Sequence, residues 1–334
     1  MVGEARSAGA LWAMADLVTP MALRVAATLR VADHITRGLR TAAELAEAVH
    51  VDADALDRVL RHLVTSGVLG RDEAGRYELT SRGEALRDDH PSGVRARLDI
   101  ESAIGRADLS FVQLLHSVRT GEAAFPAQFG RPFWDDLAWD PERTSSYDAQ
   151  MGIDVALWAP LVVAAYDWGS LGHVIDVGGG NGTLLASLLH AYPALRGTVF
   201  DQPATAAAAR RTLTAAGLED RSAVVSGSFF DPLPPGAGGY VLSAILHDWD
   251  DAAATAILRR CAQAAGTAGI VFVVEKTGAG GESPRTDMDL RVLAYFGGRE
   301  RGVAELTALA MAARLHVAAV HPAGDLSILE LTAS

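Results

Sequence analysis

The sequence has almost no cysteine and almost no lysine. Cys261 is its only cysteine, which excludes an internal disulfide and fits a reducing compartment, so we expect a cytoplasmic protein. Lys276 is the only lysine among 29 Lys and Arg residues, an imbalance typical of genome composition. The histidine, cysteine and carboxylate residues follow none of the spacings of known metal sites, so the sequence predicts no metal.

Long hydrophobic runs and a positive net charge are also missing. No unbroken apolar run reaches the ~20 residues that a membrane span needs, and Met1–Arg6 lacks the pattern of a signal peptide. Residues 11–37 have helical spacing of apolar residues, and much of this segment is apolar on every side of the predicted helix. Such a helix is buried in its own domain or against a partner. The net charge of −12 disfavours binding to nucleic acid or to anionic membranes.

The segment after this helix has the pattern of a winged helix. A capping box at Thr41–Glu44 begins a short helix, and Asp52 begins a second one. Val68–Gly70 and Arg76–Thr80 flank a turn and are predicted to form a β-hairpin. Helix, turn, helix and hairpin in this order are typical of a winged-helix domain, which we place at residues 1–95.

Charge decides between DNA binding and a structural role for this domain. The first 95 residues contain 12 Arg and 14 Asp and Glu, a net charge of −2. The predicted second helix carries Asp52, Asp54 and Asp57 against Arg58 and Arg61. This face does not have the basic character of a DNA-binding surface, so dimerisation is favoured.

Residues 96–168 are predicted to form a helical linker that contributes to a substrate pocket. Its aromatic side chains are Phe125, Phe129, Phe133, Trp134, Trp139, Trp158 and Trp168. They pack a core between domains, or they form an aromatic wall for a flat organic substrate.

A glycine-rich turn at Asp176–Gly182 is the strongest single signal. It follows the apolar run His173–Ile175 and precedes a helix-compatible run, which together predict strand, tight turn and helix. A dinucleotide-binding turn needs glycine at the sixth position of the motif, where this chain has Thr183. The pattern Gly-x-Gly-x-Gly instead resembles the first motif of S-adenosylmethionine-dependent methyltransferases.

From residue 173 onward, strands alternate with helices, which predicts a doubly wound, mostly parallel α/β sheet. A last helix, Val303–Arg314, leads to two strands that we expect to pair antiparallel across a short turn. The seven predicted strands are His173–Val177, Thr198–Phe200, Ala223–Ser226, Tyr240–Leu246, Ile270–Glu275, Leu315–Val320 and Leu326–Leu331.

Residues suited to binding a nucleoside follow the second and third strands. Asp201 ends the second strand, where an acidic side chain accepts the ribose hydroxyls in nucleotide-binding sheets. The alternative for Asp201 is a solvated carboxylate. Pro203 restricts Gln202 to an extended conformation, which sharpens this turn. After the third strand, Ser228 is placed to reach an adenine amino group, and Phe229 is placed against the adenine face.

A candidate base follows the fourth strand. His247 lies where ligands bind in open α/β sheets, and an imidazole can take a proton from an acidified hydroxyl. Glu275 ends the fifth strand, and Glu300 lies in the next connection. Either carboxylate is able to fix the tautomer of His247 and raise its basicity, or to form a surface salt bridge instead.

These motifs together resemble the small-molecule O-methyltransferase family, which includes plant caffeate and flavonoid enzymes and bacterial antibiotic-tailoring enzymes. The motifs are Asp176–Gly182, Phe200–Pro203, Gly227–Pro232, Leu246–Asp251 and Gly297–Arg301. The resemblance implies a Rossmann-like catalytic domain at residues 169–334 and a homodimer formed through the N-terminal domain. It also implies S-adenosylmethionine as cofactor and S-adenosylhomocysteine as product. The acceptor would be an aromatic hydroxyl, expected in a bacterial secondary metabolite such as a polyketide.

The resemblance also implies residue roles. His247 is the general base, assisted by Glu275 and Glu300, and the substrate contacts are Met151, Trp134 and Asp248. The cofactor-binding residues are Asp176, Gly178, Gly180, Gly182, Asp201, Gln202, Gly227, Ser228, Phe229, Ser243 and Trp249.

The chain departs from the family pattern at three places. Ser228 replaces a common Asp, so adenine recognition is expected to rest on a hydroxyl. Ser243 lies near the position of a lysine in plant members, which favours a bacterial-type cofactor site. Arg301 is not followed by the usual Thr, so we expect the final helix to begin differently.

Two other functions stay open, and the acceptor is not determined. One is a family member that hydroxylates or decarboxylates an aromatic polyketide while keeping the cofactor. The other, less favoured, is a cofactor-sensing winged-helix regulator.

Overall fold

The N-terminal unit confirms the winged-helix pattern. A computed structural model describes residues 10–278, 280, 283 and 285–333, and the chain divides into two units at 106/107. The division into residues 1–95, 96–168 and 169–334 that the sequence predicts stays a prediction. The elements of the first unit are α1 (Val18–Thr28), α2 (Val31–Thr36), α3 (Ala42–Val49), α4 (Ala53–Thr65), β1 (Leu69–Arg71), β2 (Tyr77–Leu79) and α5 (Val94–Leu98).

The predicted caps and hairpin of this unit are present. Thr41 Oγ1 accepts from the Glu44 backbone N–H at 3.3 Å, and Glu44 accepts from Thr41 N–H at 2.8 Å, which forms the capping box of α3. Asp52 caps α4 by accepting from Ala55 N–H at 2.8 Å. The strands β1 and β2 pair antiparallel, with Leu69 opposite Leu79.

The apolar N-terminal segment is only half buried. Ala26 and Ala27 in α1 pack into the core of this unit, whereas Trp12, Met14 and Leu17 are 75%, 84% and 64% exposed. The first half of the segment is therefore not buried within its own unit. Of the two interpretations of this helix, burial against a partner is the one that fits these residues.

The second unit contains the predicted doubly wound sheet. Its helices are α6 (Ala103–Asp108), which crosses the division, α7 (Leu114–Thr120), α8 (Ala124–Phe129), α9 (Phe133–Trp139), α10 (Pro141–Ala165), α11 (Thr183–Ala191), α12 (Pro203–Ala215), α13 (Asp251–Ala265), α14 (Thr286–Phe296) and α15 (Val303–Ala312). Its strands are β3 (His173–Val177), β4 (Arg196–Asp201), β5 (Ser222–Ser226), β6 (Gly239–Ser243), β7 (Ile270–Lys276), β8 (Leu315–Ala323) and β9 (Leu326–Ala333).

The strand order β5-β4-β3-β6-β7-β9-β8 confirms the fold class. The strands β3 to β7 pair in parallel, and β9 lies antiparallel to both β7 and β8. The strand β4 lies on one side of β3 and β6 lies on the other. The direction in which successive strands are added to the sheet therefore reverses at β3. Ligands bind at such a switch point, at the carboxyl ends of the strands.

The prediction that the fourth strand extends to Leu246 was wrong. The strand β6 ends at Ser243 because Ala244 adopts a left-handed conformation with φ 55°. A non-glycine residue in this region is strained and ends the extended backbone. A short 3₁₀ helix, Leu246–Asp248, follows, so His247 lies on a helical turn and not at a strand end.

Two helical stretches satisfy the length and composition of a membrane span, Ala10–Thr28 and Pro141–Ala165. The expectation of no membrane partner therefore rests on charge and on packing. In α10, Trp158 and Val162 belong to the core beneath the sheet. Core helices of globular proteins meet the same length and composition criteria, so this evidence for a membrane is weak.

Some aromatic residues of the predicted linker pack in the core, and others, such as Trp134, line the cavity that is described below. Trp158 and Trp168 pack in the core, and the Trp168 indole donates to Val162 O at 2.9 Å. Trp139 is 76% exposed and serves neither role within this chain. The final helix α15 begins at Val303, and Glu305 accepts from the Gly302 backbone N–H at 3.0 Å, which satisfies one of the free N–H groups at the start of the helix without a hydroxyl cap.

Candidate active site

The turn after β3 needs its glycines. Gly178 and Gly180 have φ angles of 72° and 59°, which glycine adopts without strain. A side chain at Gly178 would place its Cβ 2.5 Å from Ile245 Cδ1. Gly178 N–H also donates to Phe200 O at 2.8 Å, which ties the turn to β4. The bare backbone here lets a ligand approach the sheet edge closely.

Gly182 has a different place from the other two glycines. It precedes α11 with φ 80°, and a Cβ there would contact Ala209, Val199 and Leu213 at 3.5–3.6 Å. It therefore packs the start of α11 against the sheet and α12 and does not line the cavity described below. Its predicted role as a cofactor contact becomes one of positioning.

Asp201 is fastened to the glycine turn. Its carboxylate accepts from Gly180 N–H at 2.8 Å and from Gln202 N–H at 2.7 Å. Burial raises the pKa of Asp201 to about 6, against the lowering effect of these two hydrogen bonds. Each carboxylate oxygen keeps a second lone pair, so this side chain fits a ligand that presents hydroxyl donors.

Two buried polar groups beside the turn have no hydrogen-bond partner among the described residues. They are the carboxylate of Asp176, which is 1% exposed, and the hydroxyl of Ser243. Burial, with a smaller contribution from Asp201, raises the pKa of Asp176 to about 7. Because unpaired buried polar groups are costly, these atoms fit a ligand that supplies the missing hydrogen bonds.

A cavity of about 440 Å³ joins these groups. Among the residues that the structure describes, its walls carry four carboxylates, from Asp148, Asp176, Asp201 and Asp248, and no Lys, Arg or His. The predicted site residues on its walls are Trp134, Met151, Asp176, Gly178, Gly180, Asp201, Gln202, Gly227, Ser228, Phe229, Ser243, Asp248 and Trp249. The cavity is therefore acidic and suits a cationic ligand.

Aromatic rings form one wall of the cavity. Trp134 stacks on Phe296 with centroids 5.2 Å apart and on Trp249 at 6.3 Å. Tyr147 meets Trp134 edge-on at 5.6 Å, and Phe229 meets Trp249 edge-on at 5.7 Å. Trp134, Tyr147, Phe229 and Trp249 all line the cavity, so this wall suits a flat aromatic ligand.

The Ser228 hydroxyl has a structural bond as well as a cavity position. It accepts from Phe230 N–H at 3.2 Å, which supports the turn after β5. Gly227 leaves room for the Phe200 ring, since a Cβ there would lie 2.6 Å from Phe200 Cζ. The predicted contact between the Ser228 hydroxyl and the adenine amino group stays a prediction.

The three predicted catalytic residues lie together but do not line the cavity. Glu275 Oε2 is 2.8 Å from His247 Nδ1, and Asp248 Oδ1 is 3.3 Å from His247 Nε2. Glu300 accepts from Ser283 Oγ at 3.2 Å and makes no hydrogen bond to the imidazole among the described residues. Asp248 therefore both lines the cavity and contacts Nε2 of His247.

This arrangement makes His247 strongly basic. Burial alone lowers the pKa of an imidazole, but Glu275, Asp248 and Glu300 outweigh it and raise the pKa of His247 to about 10. A hydrogen bond between Nδ1–H and Glu275 leaves Nε2 as the nitrogen available to accept a proton.

Arg301 holds the loop that carries His247. Its guanidinium is buried and donates to Leu246 O at 2.8 Å, to Trp249 O at 2.8 Å and to Asp251 Oδ1 at 2.8 Å. These bonds fix the segment on both sides of His247. The sequence motif contained Arg301, but its role depends on carbonyl groups that only the folded loop brings together.

The sequence predicts no role for several polar residues of the cavity, and three of them illustrate why. Asp148 and Asn181 line it, and so does Thr205 from the first turn of α12. Asn181 lies inside the Asp176–Gly182 motif and Asp148 lies three positions before Met151, so proximity to assigned residues was the available signal. No signal pointed to Thr205, because its approach to Asp148 spans 57 residues.

The comparisons with known proteins agree with this geometry. The family model of the O-methyltransferase domain matches residues 111–315, and the model of the O-methyltransferase dimerisation domain matches residues 12–89. The chain belongs to this O-methyltransferase family. The matches confirm an α/β enzyme whose cofactor is S-adenosylmethionine, and they do not favour a transcription regulator.

Two relatives of this O-methyltransferase are informative. The 2,7-dihydroxy-5-methyl-1-naphthoate 7-O-methyltransferase of Streptomyces carzinostaticus is 58% identical over 97% of this chain and 97% of the relative. Aclacinomycin 10-hydroxylase of Streptomyces purpurascens is 43% identical, over 96% and 89% of the two chains.

A solved structure extends the likeness to three dimensions. An O-methyltransferase from neocarzinostatin biosynthesis, in complex with S-adenosyl-L-homocysteine and 1,4-dihydroxy-2-naphthoic acid, superimposes with a TM-score of 0.93 at 57% identity. The superposition covers 97% of this chain and 98% of that one.

Proposed function

We propose that this O-methyltransferase methylates a ring hydroxyl of a hydroxynaphthoate-type intermediate of antibiotic biosynthesis. The observation that carries the proposal is the aromatic wall around Trp134, which faces an acidic cavity next to the glycine turn. A relative at 58% identity acts on a dihydroxynaphthoate, which supports a bicyclic aromatic acceptor.

In the proposed mechanism, S-adenosylmethionine supplies a methyl group that its sulfonium makes electrophilic. Asp201 accepts the ribose hydroxyls, and Trp134 and Met151 hold the acceptor ring. His247 takes the proton of the acceptor hydroxyl at Nε2, while Glu275 holds Nδ1–H. Correct placement of the reacting atoms is worth up to roughly 7–11 kcal/mol in model reactions, so positioning is the main contribution of the protein.

Asp248 is proposed to position the acceptor hydroxyl. Burial raises the pKa of Asp248 to about 7, although the neighbouring His247 opposes this rise. A hydroxyl held at Asp248 Oδ1 lies next to His247 Nε2, since these two atoms are 3.3 Å apart. This geometry supports transfer of a proton from an acceptor hydroxyl bound at Asp248 to Nε2 of His247.

Hydroxylation is the second candidate, because a hydroxylase relative is 43% identical. The test is an assay of the purified enzyme with labelled S-adenosylmethionine and a panel of hydroxy-1-naphthoates and simple phenols. We expect label transfer to a hydroxynaphthoate, with a product heavier by one methylene group. Dioxygen and a thiol reductant are added in a parallel assay, because hydroxylation takes its oxygen atom from dioxygen and two electrons from a reductant. A product heavier by one oxygen, without label, would then establish hydroxylation and reject methyl transfer.

We also propose that the enzyme is a cytoplasmic homodimer formed through the N-terminal unit. The dimerisation-domain match covers residues 12–89, and Trp12, Met14 and Leu17 are exposed in the single chain. Exposed apolar patches of this kind mark interaction surfaces. The buried single cysteine supports a reducing compartment.

The dimer proposal predicts that Trp12→Asp combined with Leu17→Asp yields monomers. A charge in an apolar interface loses its hydration without gaining a partner, which costs several kcal/mol. Size-exclusion chromatography with light scattering measures the mass. Met311→Asp is the control, because Met311 is 68% exposed but lies in α15. A double variant that stays dimeric would contradict the assignment.

A further inference from the structure

Asp148 is a buried carboxylate whose charge the proposed mechanism does not use. It lies in α10, is 8% exposed and lines the cavity. Thr205 Oγ1 donates to its Oδ1 at 3.2 Å, and no described cation lies within ion-pair distance of it. Burial raises the pKa of Asp148 to about 6, against the effects of Thr205 and of the more distant Arg211.

The fold places Asp148 between the glycine turn and the ribose side of the cavity. Asn181 Nδ2 donates to the backbone O of Asp148 at 3.3 Å, which ties α10 to the start of α11. Gly152 permits this contact, since a Cβ there would lie 2.2 Å from Asn181 Nδ2. On the other side, Thr205 belongs to α12, which begins two residues after Asp201.

A second carboxylate in the same cavity lacks both a hydrogen-bond donor and a cation in the part of the chain that the structure describes. Asp176 is 1% exposed, lines the same cavity, and has both carboxylate oxygens unpartnered among the described residues. The described walls contain no Lys, Arg or His to neutralise Asp148 or Asp176. A positive group on the ligand therefore has to compensate the buried negative charge when these carboxylates ionise.

We propose that the Asp148 carboxylate binds the α-ammonium group of the methionine moiety of S-adenosylmethionine. This inference rests on the cofactor role stated above and adds the residue that recognises the amino-acid end. The ammonium is a strong donor, and its hydrogen bonds to a carboxylate are charge-assisted. The adenosine part of the cofactor is neutral and would not discriminate between a charged and a neutral side chain at this position.

The test compares two ligands by isothermal titration calorimetry. S-adenosylhomocysteine has the ammonium, and 5′-methylthioadenosine has the same adenosine thioether without the amino acid. We expect Asp148→Asn to raise the Kd for S-adenosylhomocysteine by roughly tenfold to a hundredfold, as for loss of a hydrogen bond to a charged group. The Kd for 5′-methylthioadenosine should stay unchanged.

Two further variants control this result. Glu142→Gln makes the same charge change on an exposed position of α10 and should alter neither Kd. Asp176→Asn tests the other buried carboxylate, and a selective loss of S-adenosylhomocysteine there, with none in Asp148→Asn, would overturn the assignment. Equal losses for both ligands in Asp148→Asn would also overturn it, because they would indicate a ribose contact or misfolding.

Stability and the wild-type titration separate the remaining outcomes. Asparagine resembles the protonated acid that burial favours, so we expect the ligand-free Asp148→Asn protein to melt no lower than wild type. If wild type itself does not bind S-adenosylhomocysteine, the cofactor role fails. If wild type binds it and Asp148→Asn binds it equally well, only the role of Asp148 fails.

Discussion

Replacing His247 by Asn is expected to reduce turnover by about 10²–10⁴-fold, the usual contribution of a general base. Asparagine fills a similar space but cannot accept the proton of the acceptor hydroxyl. Affinity for S-adenosylhomocysteine should remain, because the His247 side chain does not line the cavity that is proposed to hold the cofactor. Initial rates of methyl transfer and calorimetry with S-adenosylhomocysteine measure the two quantities separately.

His321→Asn is a matched control for this experiment. His321 Nε2 lies 2.8 Å from Glu330 Oε2, a histidine–glutamate pair like that of His247 and Glu275, but in the β8–β9 hairpin. Its replacement should leave turnover unchanged. Turnover that survives His247→Asn would reject the base assignment, and joint loss of turnover and cofactor binding would indicate a structural role.

Methyl transfer is expected to increase with pH over the range in which His247 loses its proton. The pKa of His247 is raised to about 10, so near neutral pH most molecules hold the imidazolium, which cannot act as a base. The neutral fraction, and with it kcat/KM, grows as the pH approaches this value. A pH profile of kcat/KM for the wild-type enzyme measures this increase directly.

Glu275→Gln should shift this profile to lower pH. Removing an anion in direct contact with the imidazole lowers its pKa, by roughly 1–3 units for partners at this distance. Maximal turnover should also fall, since Glu275 Oε1 accepts from Leu246 N–H at 2.9 Å and one glutamine oxygen cannot serve both donors. Glu300→Gln should shift the profile less, because Glu300 is not bonded to the ring. Profiles identical to wild type in both variants would contradict the proposed electrostatics.

The local elements of this fold are predictable because their causes lie within a few residues. Thr41 and Glu44 satisfy each other at the start of α3, and the glycines of Asp176–Gly182 provide the left-handed conformations that the turn requires. Asp201 is the last residue of its strand, so the parallel alternation of strands and helices is enough to place it beside the turn.

Other features depend on contacts that periodicity does not encode. The strand β6 ends early because Ala244 turns left-handed while its N–H donates to Val274 O in the neighbouring strand. This turn moves His247 off the strand end and places Asp248 on the cavity wall instead. The family resemblance indicated both His247 and Asp248, but it did not indicate that Asp248 lines the cavity and His247 does not.

The sequence by itself determined the fold class and the cofactor family, because short motifs carry these properties, and it named Glu275 and Glu300 alike as candidate partners of His247. Only the tertiary structure decided which carboxylates are buried together without a cation, and which apolar N-terminal side chains stay exposed. Asp148 and Thr205 are 57 positions apart, and their contact exists because α10 and α12 pack on the same sheet. Burial and pairing of charge are properties of that packing, so no local pattern in the sequence specifies them.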